Sequence, residues 1–161
     1  MTPDFWFQAR ESGVVLGRNP NRSVTDILTP ELRLGLRPRV LLVEDDRAGR
    51  EMYAVWLTQA GFDVDQAHNG LQALERAFER VPDIVVADLN IPGIDGFELT
   101  RRLKLDPRTS RVPVVAVTGY AAFAADPGRA RRAGCDAVLE KPCSAEDLES
   151  TIRTFVSGNE L

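Results

Sequence analysis

The chain has 161 residues, 43% of them hydrophobic and 27% charged, with a formal net charge of −4. That make-up suits a globular protein long enough for one domain with a real core, and it implies no general electrostatic affinity for nucleic acid. No apolar run approaches a membrane span, and the N-terminus shows no basic region followed by an apolar segment. Cys135 and Cys143 have neither metal-ligand spacing nor the number for a disulfide framework. The expectation is a cytoplasmic protein whose two cysteines are small buried apolar residues.

Charge is unevenly spread: residues 1–39 carry a net +2 and residues 40–161 a net −6. Residues 1–38 show no sustained periodicity and are expected to form a partly disordered N-terminal extension. Within it Phe5-Trp6-Phe7 could anchor a docking or dimerising arm, and Val24 to Leu36 could hold a short amphipathic helix broken at Pro30 and Gly35. After Pro38 the pattern becomes regular. Val40–Val43 reads as a buried strand, followed at once by Glu44-Asp45-Asp46. Arg47–Ala60 has helical spacing, with Met52, Val55, Trp56 and Gln59 on one face and Gly61 as its stop. Phe62–Ala67 alternates like a half-exposed edge strand. Asn69 caps a helix over Gly70–Arg80, with Leu71, Leu74, Ala77 and Phe78 on a shared face.

Asp83–Ala87 is a β-branched apolar run that ends on Asp88 and breaks at Pro92-Gly93. Gly96–Leu105 is expected to be helical, burying Phe97, Leu99 and Leu103. Val114–Val117 forms a fourth strand, and Ala121–Ala133 a helix with a late start or a break at Pro127-Gly128. Asp136–Glu140 forms a fifth strand, followed by Lys141-Pro142. Ser144 opens the last helix in a capping-box arrangement with Asp147; Leu148, Ile152, Phe155 and Val156 face inward, and residues 158–161 are a short tail. Five alternations of strand and helix in about 120 residues predict an α/β fold: a parallel sheet with helices on both faces.

In such a sheet the functional crevice lies outside the C-terminal ends of the strands. Strand one brings Glu44 and Asp45 there, strand three Asp88, strand four Thr118 and strand five Lys141. Three carboxylates in one crevice repel each other, and a hard divalent cation such as Mg²⁺ relieves this with oxygen ligands. Lys141 adds a compact positive charge and Thr118 a hydroxyl donor. The chain carries 18 Arg but only two Lys, Lys104 and Lys141, so the lysine at this strand end stands out. An aspartate among these groups suits phosphoryl transfer onto Asp88.

Glu44-Asp45, the Asp88-Leu89-Asn90-Ile91-Pro92-Gly93-Ile94-Asp95-Gly96 loop, Thr118 and Lys141-Pro142 occur in the order and spacing of one family. Residues 39–157 resemble the receiver domain of two-component response regulators, of the single-domain type. The spacing from Asp45 to Gly61-Phe62 supports Glu44 with Asp45, rather than Asp45 with Asp46, as the acidic pair. The resemblance implies a flavodoxin-like sheet of order 2-1-3-4-5. It implies that Asp88 accepts phosphate from a phosphohistidine on a histidine kinase or histidine phosphotransfer protein. It implies Mg²⁺ held by Asp45, Asp88 and the Asn90 main-chain carbonyl, with Glu44 acting through a water. Thr118 and Lys141 would contact the phosphoryl group, and the Lys141–Pro142 peptide would be cis. The protein would not be a conventional enzyme; it would switch contacts with a downstream protein target or relay the phosphate, with no nucleic acid or membrane partner.

Two positions depart from the family pattern. Val138 stands where receivers usually carry an aromatic, and Gly119 where most carry Ala. The expectation is that coupling passes through the Thr118–Tyr120 loop, with Tyr120 as substitute for the missing ring and Gly119 making the loop permissive. The alternative is a receiver-fold interaction module whose output ignores phosphorylation. An aspartyl-phosphate hydrolase would want a second acid where Asn90 stands. His68 reads as a solvated loop residue, and Arg129, Arg131 and Arg132 as a solvated helix face.

Overall fold

The computed structural model describes residues 6–8, 15–17, 36–119 and 125–157. The chain divides into two units, Met1–Leu36 and Arg37–Leu161. In the first unit, β1 (Trp6–Gln8) and β2 (Val15–Gly17) pair antiparallel, with Phe7 opposite Leu16. The proposed helix after Val24 and the tail at 158–161 lie outside the described residues.

The second unit runs β3 (Arg39–Val43), α1 (Arg47–Gln59), β4 (Asp63–Ala67), α2 (Gly70–Glu79), β5 (Ile84–Asp88), α3 (Gly96–Leu105), β6 (Val114–Gly119), α4 (Pro127–Ala133), β7 (Ala137–Lys141) and α5 (Ala145–Ser157). Its five strands form a parallel sheet of order β4-β3-β5-β6-β7. This is the expected 2-1-3-4-5 arrangement. Alternation along each strand divides the core. Leu41, Val43, Val85, Ala87 and Val114 point to the side covered by α2 and α3, where Ala73, Leu74, Ala77, Leu99 and Leu103 are buried. Val40, Leu42, Ile84, Val86, Val115 and Val117 point to the side of α1 and α5, against Tyr53, Ala54, Leu57, Leu148 and Ile152.

Local chemistry sets the helix starts. Asp46, Asn69 and Asp95 each accept a hydrogen bond from the backbone N–H three residues on, capping α1, α2 and α3. Ser144 Oγ does the same for Asp147 N–H at the start of α5. Of the expected 121–133 helix, Ala125 is helical, the run breaks at Asp126, and α4 starts at Pro127, a residue suited to a first helical position.

Two expected faces are corrected. On α1 the inward residues are Tyr53, Ala54 and Leu57, whereas Met52, Val55 and Trp56 are exposed. Both sets repeat at helical spacing, and the register of the helix on the sheet chose between them. On α2, Leu71 is exposed; Ala73 takes an inward place beside Leu74 and Ala77. The cysteines are free and half-buried rather than fully buried. Among the described residues no helix is long and apolar enough to cross a membrane.

Candidate functional site

The register of the sheet gathers the site. Val43 pairs with Ala87, so Glu44 and Asp88 follow side by side where β3 and β5 end. Across β6, Thr118 pairs with Glu140 and Gly119 with Lys141, which brings the end of β7 to the same rim. Carboxylate oxygens of Glu44, Asp45 and Asp88 all lie within 4.8 Å of one another.

These carboxylates have different partners. Glu44 and Asp88 are buried, whereas Asp45 is exposed. Lys141 Nζ donates to Glu44 Oε2 and to Asp88 Oδ2, each at 2.7 Å. The remaining oxygens take backbone donors: Asp46 N–H reaches Glu44 Oε1 at 3.1 Å, and Asn90 N–H reaches Asp88 Oδ1 at 2.9 Å. Burial works against the charge on Lys141, but hydrogen bonds and attraction from Asp88 and Glu44 outweigh it and raise its pKa. Asp46 is committed to capping α1, its Oδ2 accepting from Gly49 N–H at 2.7 Å. Asp45, whose carboxylate clusters with those of Glu44 and Asp88, serves no such cap. Thr118 is fully buried, and among the described residues its hydroxyl finds no hydrogen-bond partner. The Lys141–Pro142 peptide is cis.

The donor set fits Mg²⁺. It offers three hard carboxylate groups within reach of one ion, with one of them exposed. An unpaired buried hydroxyl at Thr118 likewise suits a ligand rich in acceptor oxygens.

The family model of the response regulator receiver domain matches residues 40–153. This chain belongs to the response regulator receiver family. The polar-differentiation response regulator DivK of Brucella anthropi is 33% identical over 117 residues, covering 73% of this chain and 94% of that protein. The chemotaxis response regulator CheY4 of Vibrio cholerae superposes with a TM-score of 0.70 at 26% identity, over 74% of this chain and 99% of that one. The receiver domain of a sensor histidine kinase from Pseudomonas aeruginosa, solved with a magnesium ion coordinated in its active-site cleft, gives 0.70 at 26% identity, over 76% and 99%.

In this receiver the loop after Asp88 is packed backbone to backbone. A Cβ on Gly96 would stand 2.6 Å from both the Asp88 carbonyl oxygen and Leu89 Cα. Gly96→Ala should therefore destabilise the protein by about 2 kcal/mol, because the added methyl can be fitted only by moving backbone. The urea midpoint measures it, and an unchanged or higher midpoint would contradict the packing.

Val138 packs half-buried against a small cluster of Leu89, Ala116 and Ala130, beside Phe97 and Cys135. Its strand partner on β6 is Ala116, a member of that cluster together with Leu89, the residue that follows Asp88. Gly119 has no left-handed φ, and among the described residues nothing lies within 4 Å of a Cβ built there. The backbone at Gly119 therefore does not demand glycine, and the loop it was expected to make permissive runs outside the described residues. Tyr120 lies outside the described residues. His68 is exposed, as expected, its N–H held by the Gln72 side chain. Of the basic cluster, Arg131 is exposed, Arg132 pairs with Asp126, and Arg129 lies over the Phe97 ring with a guanidinium nitrogen 3.6 Å from Asp95.

Sequence reasoning passed over Arg50, whose Nη1 donates to the Glu44 carbonyl at 2.8 Å. Its position four residues after the Asp46 cap, one helical turn, places it under the acidic pair and is a signal that could have found it. It also passed over the Tyr53 hydroxyl, which no local pattern marks.

Proposed function

We propose that Asp88 is the phosphoacceptor of a signalling receiver, taking a phosphoryl group from a phosphohistidine on a histidine kinase or histidine phosphotransfer protein. The observation that carries this reading is the Lys141 ammonium held by both Glu44 and Asp88 at the strand ends, with Asp45 open beside them.

The chain's own residues divide the work. An Asp88 carboxylate oxygen attacks phosphorus, the P–N bond of the donor breaks, and the imidazole leaves with the electron pair. Asn90 N–H holds the other Asp88 oxygen and orients the nucleophile. Lys141 stands where an oxygen added to Asp88 would carry negative charge, and it answers that charge as a fixed cation. Thr118 supplies a hydroxyl otherwise unpaired among the described residues. Mg²⁺, held by Asp45, Asp88 and the Asn90 carbonyl, with Glu44 through water, would offset the charge of the carboxylates and the incoming phosphoryl group. Phosphorylation then switches protein–protein contacts or passes the phosphate on. The protein promotes its own phosphorylation and dephosphorylation at Asp88 and is not a conventional enzyme.

Val138 favours a second reading, an interaction module that ignores phosphate, because a β-branched side chain has no long ring to swing. One experiment tests the Asp88 reading. With Mg²⁺ and a phosphorylated histidine phosphotransfer protein, the chain should remove label from the donor and hold it as an acyl phosphate released by neutral hydroxylamine. Label that stays on the donor, or resists hydroxylamine, would contradict the Asp88 reading.

A further inference from the structure

Lys141 is the last residue of β7, which among the described residues pairs with β6 alone and so forms an edge of the sheet. Its Nζ makes two charged hydrogen bonds, but the main chain that carries it leaves the sheet immediately, through Pro142 and Cys143, to the Ser144 cap of α5. Among the described residues, one hydrogen bond from a distant element holds this short connection: the Tyr53 hydroxyl donates to the Cys143 carbonyl at 2.7 Å, across 90 positions of sequence.

Tyr53 is well placed to serve as a fixed point. It lies in the interior of α1, is only 7% exposed, and packs with Ala54 and Leu57 against the sheet. The same helix begins at the Asp46 cap, directly after Glu44 and Asp45. The chain from Glu44 to Tyr53 and the chain from Lys141 to Cys143 are therefore joined at both ends, by Lys141 on Glu44 and by Tyr53 on Cys143. One link of that closed ring is the ammonium beside Asp88. A long lysine on an edge strand has many rotamers, and a misplacement of about 1 Å can cost a large factor in rate. Burial, the first influence on the Tyr53 phenol, raises its pKa and keeps the hydroxyl a donor.

We infer that Tyr53 is a positioning residue for phosphoryl transfer: through the Cys143 carbonyl it sets where the Lys141 ammonium stands relative to Asp88. The inference rests on the reading of Asp88 as phosphoacceptor. Phenylalanine at 53 keeps the ring in the core and removes only the hydroxyl.

The test compares wild type with Tyr53→Phe in two measurements. The first is the rate constant for phosphorylation by acetyl phosphate at saturating Mg²⁺, expected to fall about tenfold. The second is the ¹H–¹⁵N signal of the lysine ammonium groups. With only Lys104 and Lys141 in the chain, Lys104→Arg assigns both. The Lys141 signal should shift or broaden in Tyr53→Phe while that of Lys104, bonded to Asp136 and the Val112 carbonyl, stays in place. An unchanged rate would overturn the inference. A slower rate with the Lys141 signal unmoved would also overturn it, assigning Tyr53 a structural role only. Wild-type protein that takes no phosphoryl group would overturn the Asp88 reading itself, and this inference with it.

Discussion

Lys141→Met should lose about 2–3 kcal/mol of stability, seen as a lower urea midpoint at pH 7. Glu44 and Asp88 are both buried, and Lys141 is the cation between them. Removing one partner of such an arrangement leaves buried charge uncompensated, which costs about 3–5 kcal/mol when burial is complete. The Lys141 side chain is 32% exposed, so solvent screening reduces the figure. The pH dependence has a defined sign. The Lys141 pKa is raised above the ordinary 10.5, so its contribution is fully present below 10.5 and is lost only as pH rises through the higher folded value. The midpoint difference between wild type and Lys141→Met should therefore stay constant from pH 7 to 9, as far as Lys141 itself is concerned. Lys141→Arg keeps the charge but brings a larger planar group. We expect Asp88 still to be phosphorylated in that variant, with the conformational response reduced. Equal responses in Lys141→Arg and wild type, followed by tryptophan fluorescence or partner binding, would refute the role assigned to the ammonium.

Asp45→Asn should abolish stabilisation by Mg²⁺. An ion that binds only the folded protein stabilises it by about 2.7 kcal/mol at one hundred times its dissociation constant. In the wild type, melting temperature should rise with added Mg²⁺ and fall back with EDTA. Asp45 is the exposed member of the three carboxylates and caps no helix, so replacing it leaves the apo protein nearly as stable. The variant's melting temperature should be indifferent to Mg²⁺, and its phosphorylation by acetyl phosphate should fall by roughly a hundredfold or more. A Mg²⁺-induced rise equal to that of wild type would remove Asp45 from the ligand set.

The three central strands were legible as short apolar runs with a turn signal at the end, the trace of parallel strands buried on both faces, and the edge strand at Asp63–Ala67 as an alternation of apolar and polar residues. The candidate site was legible for a related reason. Glu44, Asp45, Asp88, Thr118 and Lys141 each stand at or just beyond a strand's C-terminal end, so knowing the strands nearly places the residues. Helix faces were less legible. Met52, Val55 and Trp56 form as good an apolar stripe as Tyr53, Ala54 and Leu57, and only contact with the sheet distinguishes them. Tyr53 illustrates the limit. A phenol in the middle of a helix carries no sign that its hydroxyl will meet the carbonyl of Cys143 across 90 positions. Contacts of that kind depend on how helix and edge strand dock, and spacing along the chain does not encode it.

The claim that Asp88 is the phosphoacceptor is tested most directly by intact mass after incubation with a small phosphodonor and Mg²⁺. The account predicts the gain of one phosphoryl group on the wild type, greatly reduced when the metal is chelated and absent in Asp88→Asn. No mass gain with any donor, or an equal gain in Asp88→Asn, would contradict it.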